Sequence, residues 1–132
     1  MPLYWVIDSR ERLITAVAEG NVRREEMDAY LHVMAGARAG NYRKLFDGSR
    51  GETEMTADDI MAVAVRIRGM QQLGQAGPLA IVMSRDKYEQ FARVLGILAV
   101  PDRPMQFFSD AGSARAWLDE PQIRAWMDGH SA

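Results

Sequence analysis

The stretch Leu79-Ala80-Ile81-Val82-Met83 constrains the fold more than any other part of the chain. It is continuously apolar, with Gly77-Pro78 before it and Ser84 after it, and a strand with one face in water would alternate instead. It therefore reads as a central strand buried on both faces, which requires cover above and below the sheet. The chain supplies that cover as helices. Met27, Tyr30, Leu31, Met34 and Ala35 recur at three- and four-residue spacing, as do Ile60, Val63, Ala64, Ile67 and Met70, and then Tyr88, Phe91, Ala92, Leu95, Leu98 and Ala99. Shorter apolar stripes follow at Ala114, Trp117 and Leu118 and at Ile123, Trp126 and Met127.

Between the helices lie further strands. Leu3 to Asp8 and Arg12 to Glu19 are separated by a polar turn too short for a crossover, so the chain opens with an antiparallel hairpin. Arg43 to Asp47 and Met105 to Phe108 complete the set, with Gly48 to Met55 read as a polar loop. Asn21 is the expected cap of helix one, which ends near Gly40. Thr56 with Asp59 three residues on marks the start of helix two, Ser84 the start of helix three and Asp110 that of helix four, and Pro121 opens a last short helix. The order predicts a single α/β domain: an N-terminal hairpin, then βαβαβα units, giving a mixed, mainly parallel sheet with flanking helices. Its core spans about residues 3–118, and residues 121–128 form a C-terminal helical extension.

With 132 residues and a formal net charge of −2, the chain has the size of one domain and lacks the positive charge that draws proteins to phosphate backbones. Nucleic acid is not an expected partner. The absence of Cys removes disulfides, thiolate nucleophiles and Cys-based metal sites. The N-terminus lacks the layout of a secretory signal and no apolar run approaches the length of a membrane span, so a cytoplasmic location is expected. All but two of the 16 basic residues are Arg; the exceptions are Lys44 and Lys87.

Several groups of residues resemble a known family. They are Ala18-Glu19-Gly20-Asn21-Val22 with Glu26, Tyr30 and Leu31; Lys44-Leu45-Phe46-Asp47-Gly48; Thr56-Ala57-Asp58-Asp59-Ile60; and Phe108-Ser109-Asp110 with Ala114, Ala116, Trp117 and Leu118. Together they resemble the bacterial SpoIIAA-like proteins, of STAS/SEC14 type, from about Leu3 to Leu118. The resemblance implies a sheet flanked by helices. It also implies a regulatory domain that binds a kinase-like protein and is switched by phosphorylation at the start of helix two. The Asp-Ser-Ser-Gly stretch of those regulators is replaced here by Glu54-Met55-Thr56-Ala57-Asp58-Asp59, which leaves Thr56 as the phosphorylation or switch position. Phosphate there would stand among Glu54, Asp58 and Asp59, an arrangement like charges oppose.

Asp47, Glu52, Glu54, Asp58 and Asp59 gather carboxylates near one strand end, where helix caps and loop polarity account for them without a metal. His32, opposite its helix's apolar stripe, and His130, near the chain end, read as surface histidines and not as members of a catalytic system. No catalytic residue, metal or cofactor is expected. Asp47, Ser84 and Ser109 stand at strand ends, where they line a polar pocket or serve as caps. Met61 and Val65 lie off the inward line of helix two, and Ile97 off that of helix three.

The expected function is therefore non-enzymatic: a protein-interaction domain that binds a partner or itself, most simply as a homodimer, through helix two and the loop before it. Met61, Val65 and Ile97 form its surface. The alternative is a binder of a small apolar or lipid-like ligand in a SEC14-like pocket.

Overall fold

A computed structural model describes residues 2–37, 39, 41–72, 77–87, 89 and 104–130. Five strands, β1 (Leu3–Asp8), β2 (Leu13–Asn21), β3 (Arg43–Glu52), β4 (Leu79–Val82) and β5 (Met105–Phe108), form one sheet in sequential order. β1 is antiparallel to β2, and every later pair is parallel. The mixed, mainly parallel α/β architecture agrees with the sequence.

Helices α1 (Arg24–Gly36) and α2 (Ala57–Gln72) are the first two crossovers. Right-handed crossovers that step the same way across a sheet return on the same face. Accordingly, Tyr30, Leu31 and Met34 of α1 and Val63 of α2 share one apolar cluster with Leu3, Ile14, Ala16 and Ala18. The opposite face is covered by α3 (Ala111–Leu118) and α4 (Pro121–His130), whose Ala114, Leu118 and Ile123 pack on Leu13, Leu45, Ala80 and Val82. Strand alternation assigns the residues. In β3, Leu45 faces α3 while Lys44 and Phe46 face α1 and α2.

Three local expectations are corrected. β3 does not end at Asp47 but continues to Glu52, because Asp47-Gly48-Ser49 is a bulge and not a turn. Val17 pairs with Asp47 and Glu19 with Arg50, so β3 carries one extra residue, and Asp47 Oδ1 accepts the Ser49 amide at 3.0 Å and its hydroxyl at 2.6 Å. Asn21 is not a helix cap. It closes β2 opposite Glu52, while α1 is capped at Arg23, whose amide donates to Glu26 Oε2 at 2.8 Å. Helix one ends at Gly36, short of Gly40.

The expected caps of later helices are present. Thr56 Oγ1 accepts the Asp59 amide at 3.1 Å, and Asp110 Oδ1 accepts that of Ser113 at 2.7 Å. Residues 85–87 are helical behind Ser84. Of the expected third helix, Tyr88, Phe91, Ala92, Leu95, Ile97, Leu98 and Ala99 lie outside the described residues.

Candidate functional site

Between the sheet and α1–α2 is a cavity of about 560 Å³. Its floor is Phe46, Leu79 and Ile81; its walls include Met27, Tyr30 and Met34 from α1 and Ile60, Ala64, Ile67 and Met70 from α2. The size falls within the range of small-molecule sites, which are mainly apolar with few polar groups. Methionines at positions 27, 34, 55, 70 and 83 give the lining unbranched, adaptable side chains. Tyr30 is fixed between Trp5 and Phe46, with edge-on ring contacts at 5.6 and 6.5 Å, which holds the α1 wall against the sheet.

Among the described lining residues two are cations, the two lysines of the chain, and one, Glu52, is a carboxylate. Lys44 is buried in β3, where its Nζ donates to the Tyr42 carbonyl at 3.1 Å. Lys87 approaches from behind β4 and donates to the carbonyls of Gly48 and Ser49 at 3.2 and 3.3 Å, and to that of Gly51. It thereby clasps the β3 bulge. Among the described residues Lys87 makes no ion pair. A lysine suits this position because its long apolar stem can lie along the lining while one compact charge reaches the polar end.

The rim is the segment from Thr53 to Thr56. Thr53 Oγ1 donates to the Val22 carbonyl at 2.6 Å and accepts the Met55 amide at 3.1 Å, while Asn21 Oδ1 accepts the Glu54 amide at 3.1 Å. Beyond it, a polar groove is lined by Arg23, Arg24, Asp28 and Asp59 at the starts of both helices. Arg24 stands 3.6 Å from Asp28 and 3.4 Å from Asp59, while Glu25 and Glu54 also line the groove. Hydrogen bonds from the Thr56 main chain and side chain, with Arg24 beyond them, hold the Asp59 carboxyl below its ordinary range.

Asp47, Ser84 and Ser109 line neither of these cavities. Asp47 serves the bulge, and Ser84 Oγ accepts the Lys87 amide at 3.4 Å. Open α/β sheets form a crevice at strand ends where the strand order reverses, and here the order runs β1 to β5 without reversal. Thr56 is exposed, its hydroxyl engaged as the α2 cap. Met61 and Val65 are 40% and 60% exposed on the outer side of α2, and Ile97 lies outside the described residues. His32 is exposed. Among the described residues no group of three His, Asp or Glu side chains is placed to hold a metal ion, and no helix is long and apolar enough to cross a membrane.

The sequence implies a SEC14-like pocket only as the alternative and names none of its lining residues, although the α2 wall of this cavity is the predicted inward stripe. The signal was the isolation of Lys44 and Lys87 in a chain otherwise using Arg.

No curated protein matches the chain. Among solved structures, it is similar to an uncharacterized protein with a SpoIIAA-like fold from Shewanella loihica PV-4. The TM-score is 0.59 and the identity 20%, over 88% of this chain and 93% of that one. The model of the SpoIIAA-like family matches residues 13–119, from the start of β2 to the residue after α3, and the chain belongs to that family.

Proposed function

We propose that the protein is a non-enzymatic binding domain whose ligand is a small, mainly apolar molecule carrying one anionic group. The cavity between the sheet and α1–α2 carries this reading, because its described lining is apolar apart from Lys44, Lys87, Thr53 and Glu52, two cations against one carboxylate. The apolar part of the ligand lies along Met34, Ile67 and Ile81, and its charge faces Lys87 at the bulge. A carboxylate there would meet a cation with no ion pair among the described residues, exchanging one of the three bulge carbonyls that Lys87 Nζ now donates to for a charge-assisted hydrogen bond. The described lining contains no His or Cys, which fits binding better than nucleophilic catalysis.

Native mass spectrometry of the protein as purified tests the reading. A bound species of a few hundred daltons, released on denaturation and absent from an Ala64→Phe variant whose new ring occupies the cavity, is the expected result. A ligand-free spectrum together with no uptake of added dodecanoate would count against it.

A second reading assigns protein recognition to the outer face of α2. Met61 and Val65, one turn apart and both exposed, support it, with Arg66 and Arg68 on the same helix as a polar rim. The variant Met61→Glu with Val65→Lys should stay folded and lose capture of a partner protein of another kind, whereas unfolding or unchanged capture of that partner would contradict the assignment.

A further inference from the structure

We infer that β1 is the self-association edge of this protein, pairing antiparallel with β1 of a second copy about a two-fold axis at Trp5, so that two five-stranded sheets become one.

The edge is open. β1 pairs with β2, and among the described residues no strand lies on its other side. The Glu19 amide donates to the Pro2 carbonyl at 2.7 Å, and the register places Leu3 opposite Ala18. Pro2 therefore bonds toward β2, and by the two-residue alternation of a strand so do Tyr4, Val6 and Asp8. Leu3, Trp5 and Ile7 direct their N–H and C=O groups outward.

Exposed edges are usually blunted by a charge, a proline or a bulge. Leu3-Tyr4-Trp5-Val6-Ile7 has none of these, and its pairing with β2 is regular; a proline, Pro2, and a charge, Asp8, stand only at the two ends of the strand, where a two-fold at Trp5 sets them opposite each other.

The strand is also complementary to itself. Pairing Leu3 with Ile7 of the second copy, Trp5 with Trp5 and Ile7 with Leu3 uses all three outward residues; shifting the register by two residues loses one of these pairs. In this register Tyr4 falls opposite Val6 of the second copy, and Val6 opposite Tyr4, in the close, non-hydrogen-bonded positions where aromatic and β-branched side chains pack well. Tyr4 and Val6 are 50% and 68% exposed on the sheet face away from α1, and Val6 is the more exposed of the two. No two like charges meet across this pairing. A two-fold interface of this kind closes on itself and uses up both β1 edges, leaving β5 of each copy as the outer strand of the joined sheet.

The register gives a direct test. Sedimentation velocity over a concentration series into the high micromolar range should show the wild type moving from one chain mass toward two. Over the same series, hydrogen exchange at the Leu3, Trp5 and Ile7 amides should slow. Tyr4→Lys with Val6→Lys sets lysines opposite each other twice and should hold the protein at the monomer mass, with an unchanged circular dichroism spectrum. Tyr4→Lys with Val6→Glu sets opposite charges across both pairs and should restore the dimer. The Met61→Glu, Val65→Lys variant should dimerise as the wild type does. A wild type that stays monomeric, exchange at the three amides that ignores concentration, equal behaviour of the two β1 variants, or loss of the dimer in the α2 variant would overturn the inference.

Discussion

Arg43 Nη1 lies 2.8 Å from Asp119 Oδ1, joining the first residue of β3 to the residue that ends α3. The guanidinium is fully buried and also donates to the carbonyls of Leu118 and Glu11, each at 2.8 Å. Arg124 extends the cluster, 2.9 Å from Glu11 and 3.5 Å from Asp119. The β1–β2 turn, the start of β3 and the α3–α4 junction are thus held through one side chain on the face opposite the cavity.

Replacing Arg43 by Met should lower stability by about 1.5 to 3 kcal/mol, the range for hydrogen bonds involving a charged group. The aliphatic stem is retained in that variant, so the loss reports the polar contacts. Urea unfolding with an unchanged slope measures it, and a shift within error would remove Arg43 from this role.

Desolvation raises the Asp119 pKa, but hydrogen bonds from Arg43 and Arg115 and the charges of both outweigh it and hold the carboxyl below its ordinary value of 3.8. A depressed folded pKa contributes stability above the unfolded value, which is lost as pH falls through the folded one. Asp119→Asn should therefore destabilise the protein at neutral pH and flatten its loss of stability below about pH 4. Unfolding midpoints at pH 3 and pH 7 compare the two proteins.

Thr56→Ala should cost about 1 kcal/mol by removing the cap of α2. Its effect on urea unfolding should be additive with that of Arg43→Met, since the two lie on different elements and share no described partner.

Gly77 and Gly36 should respond oppositely to alanine. A Cβ at Gly77 would stand 2.1 Å from the Tyr42 carbonyl oxygen and 2.4 Å from that of Asn41, both backbone atoms that cannot swing aside. Gly77→Ala should lower the thermal midpoint sharply. At Gly36, the last residue of α1, a Cβ meets nothing within 4 Å among the described residues, so Gly36→Ala should raise stability slightly, by less than the roughly 0.5 to 1 kcal/mol of a mid-helix glycine.

The element order, the Thr56 and Asp110 caps and the exposure of Met61 and Val65 were legible because each depends on local periodicity or capping chemistry. The end of β3 was not. Asp-Gly-Ser is good turn chemistry, and it becomes a bulge only because β2 continues alongside it and Lys87, nearly forty positions later, holds the carbonyls of Gly48, Ser49 and Gly51. Asn21 has a cap's side chain, but pairing with Glu52 carries β2 through it. The place and size of the cavity eluded the sequence for a different reason: inward stripes name the walls, whereas the space left between them depends on how far α1 and α2 stand from the sheet.

The charge preference of the cavity rests on Lys87. Lys87→Met should weaken dodecanoate binding by about tenfold more than dodecanol binding, the equivalent of one charge-assisted hydrogen bond beyond any effect of releasing the bulge. Equal losses for both ligands would assign Lys87 a structural role only.

Calorimetric titration of dodecanoate, kept below its micellar concentration, into the wild type and into Ala64→Phe tests the central claim most directly. Saturable one-to-one binding by the wild type, lost in the variant while its circular dichroism and thermal midpoint stay the same, is the predicted result. No saturable binding by the wild type, or equal binding by both proteins, would contradict it.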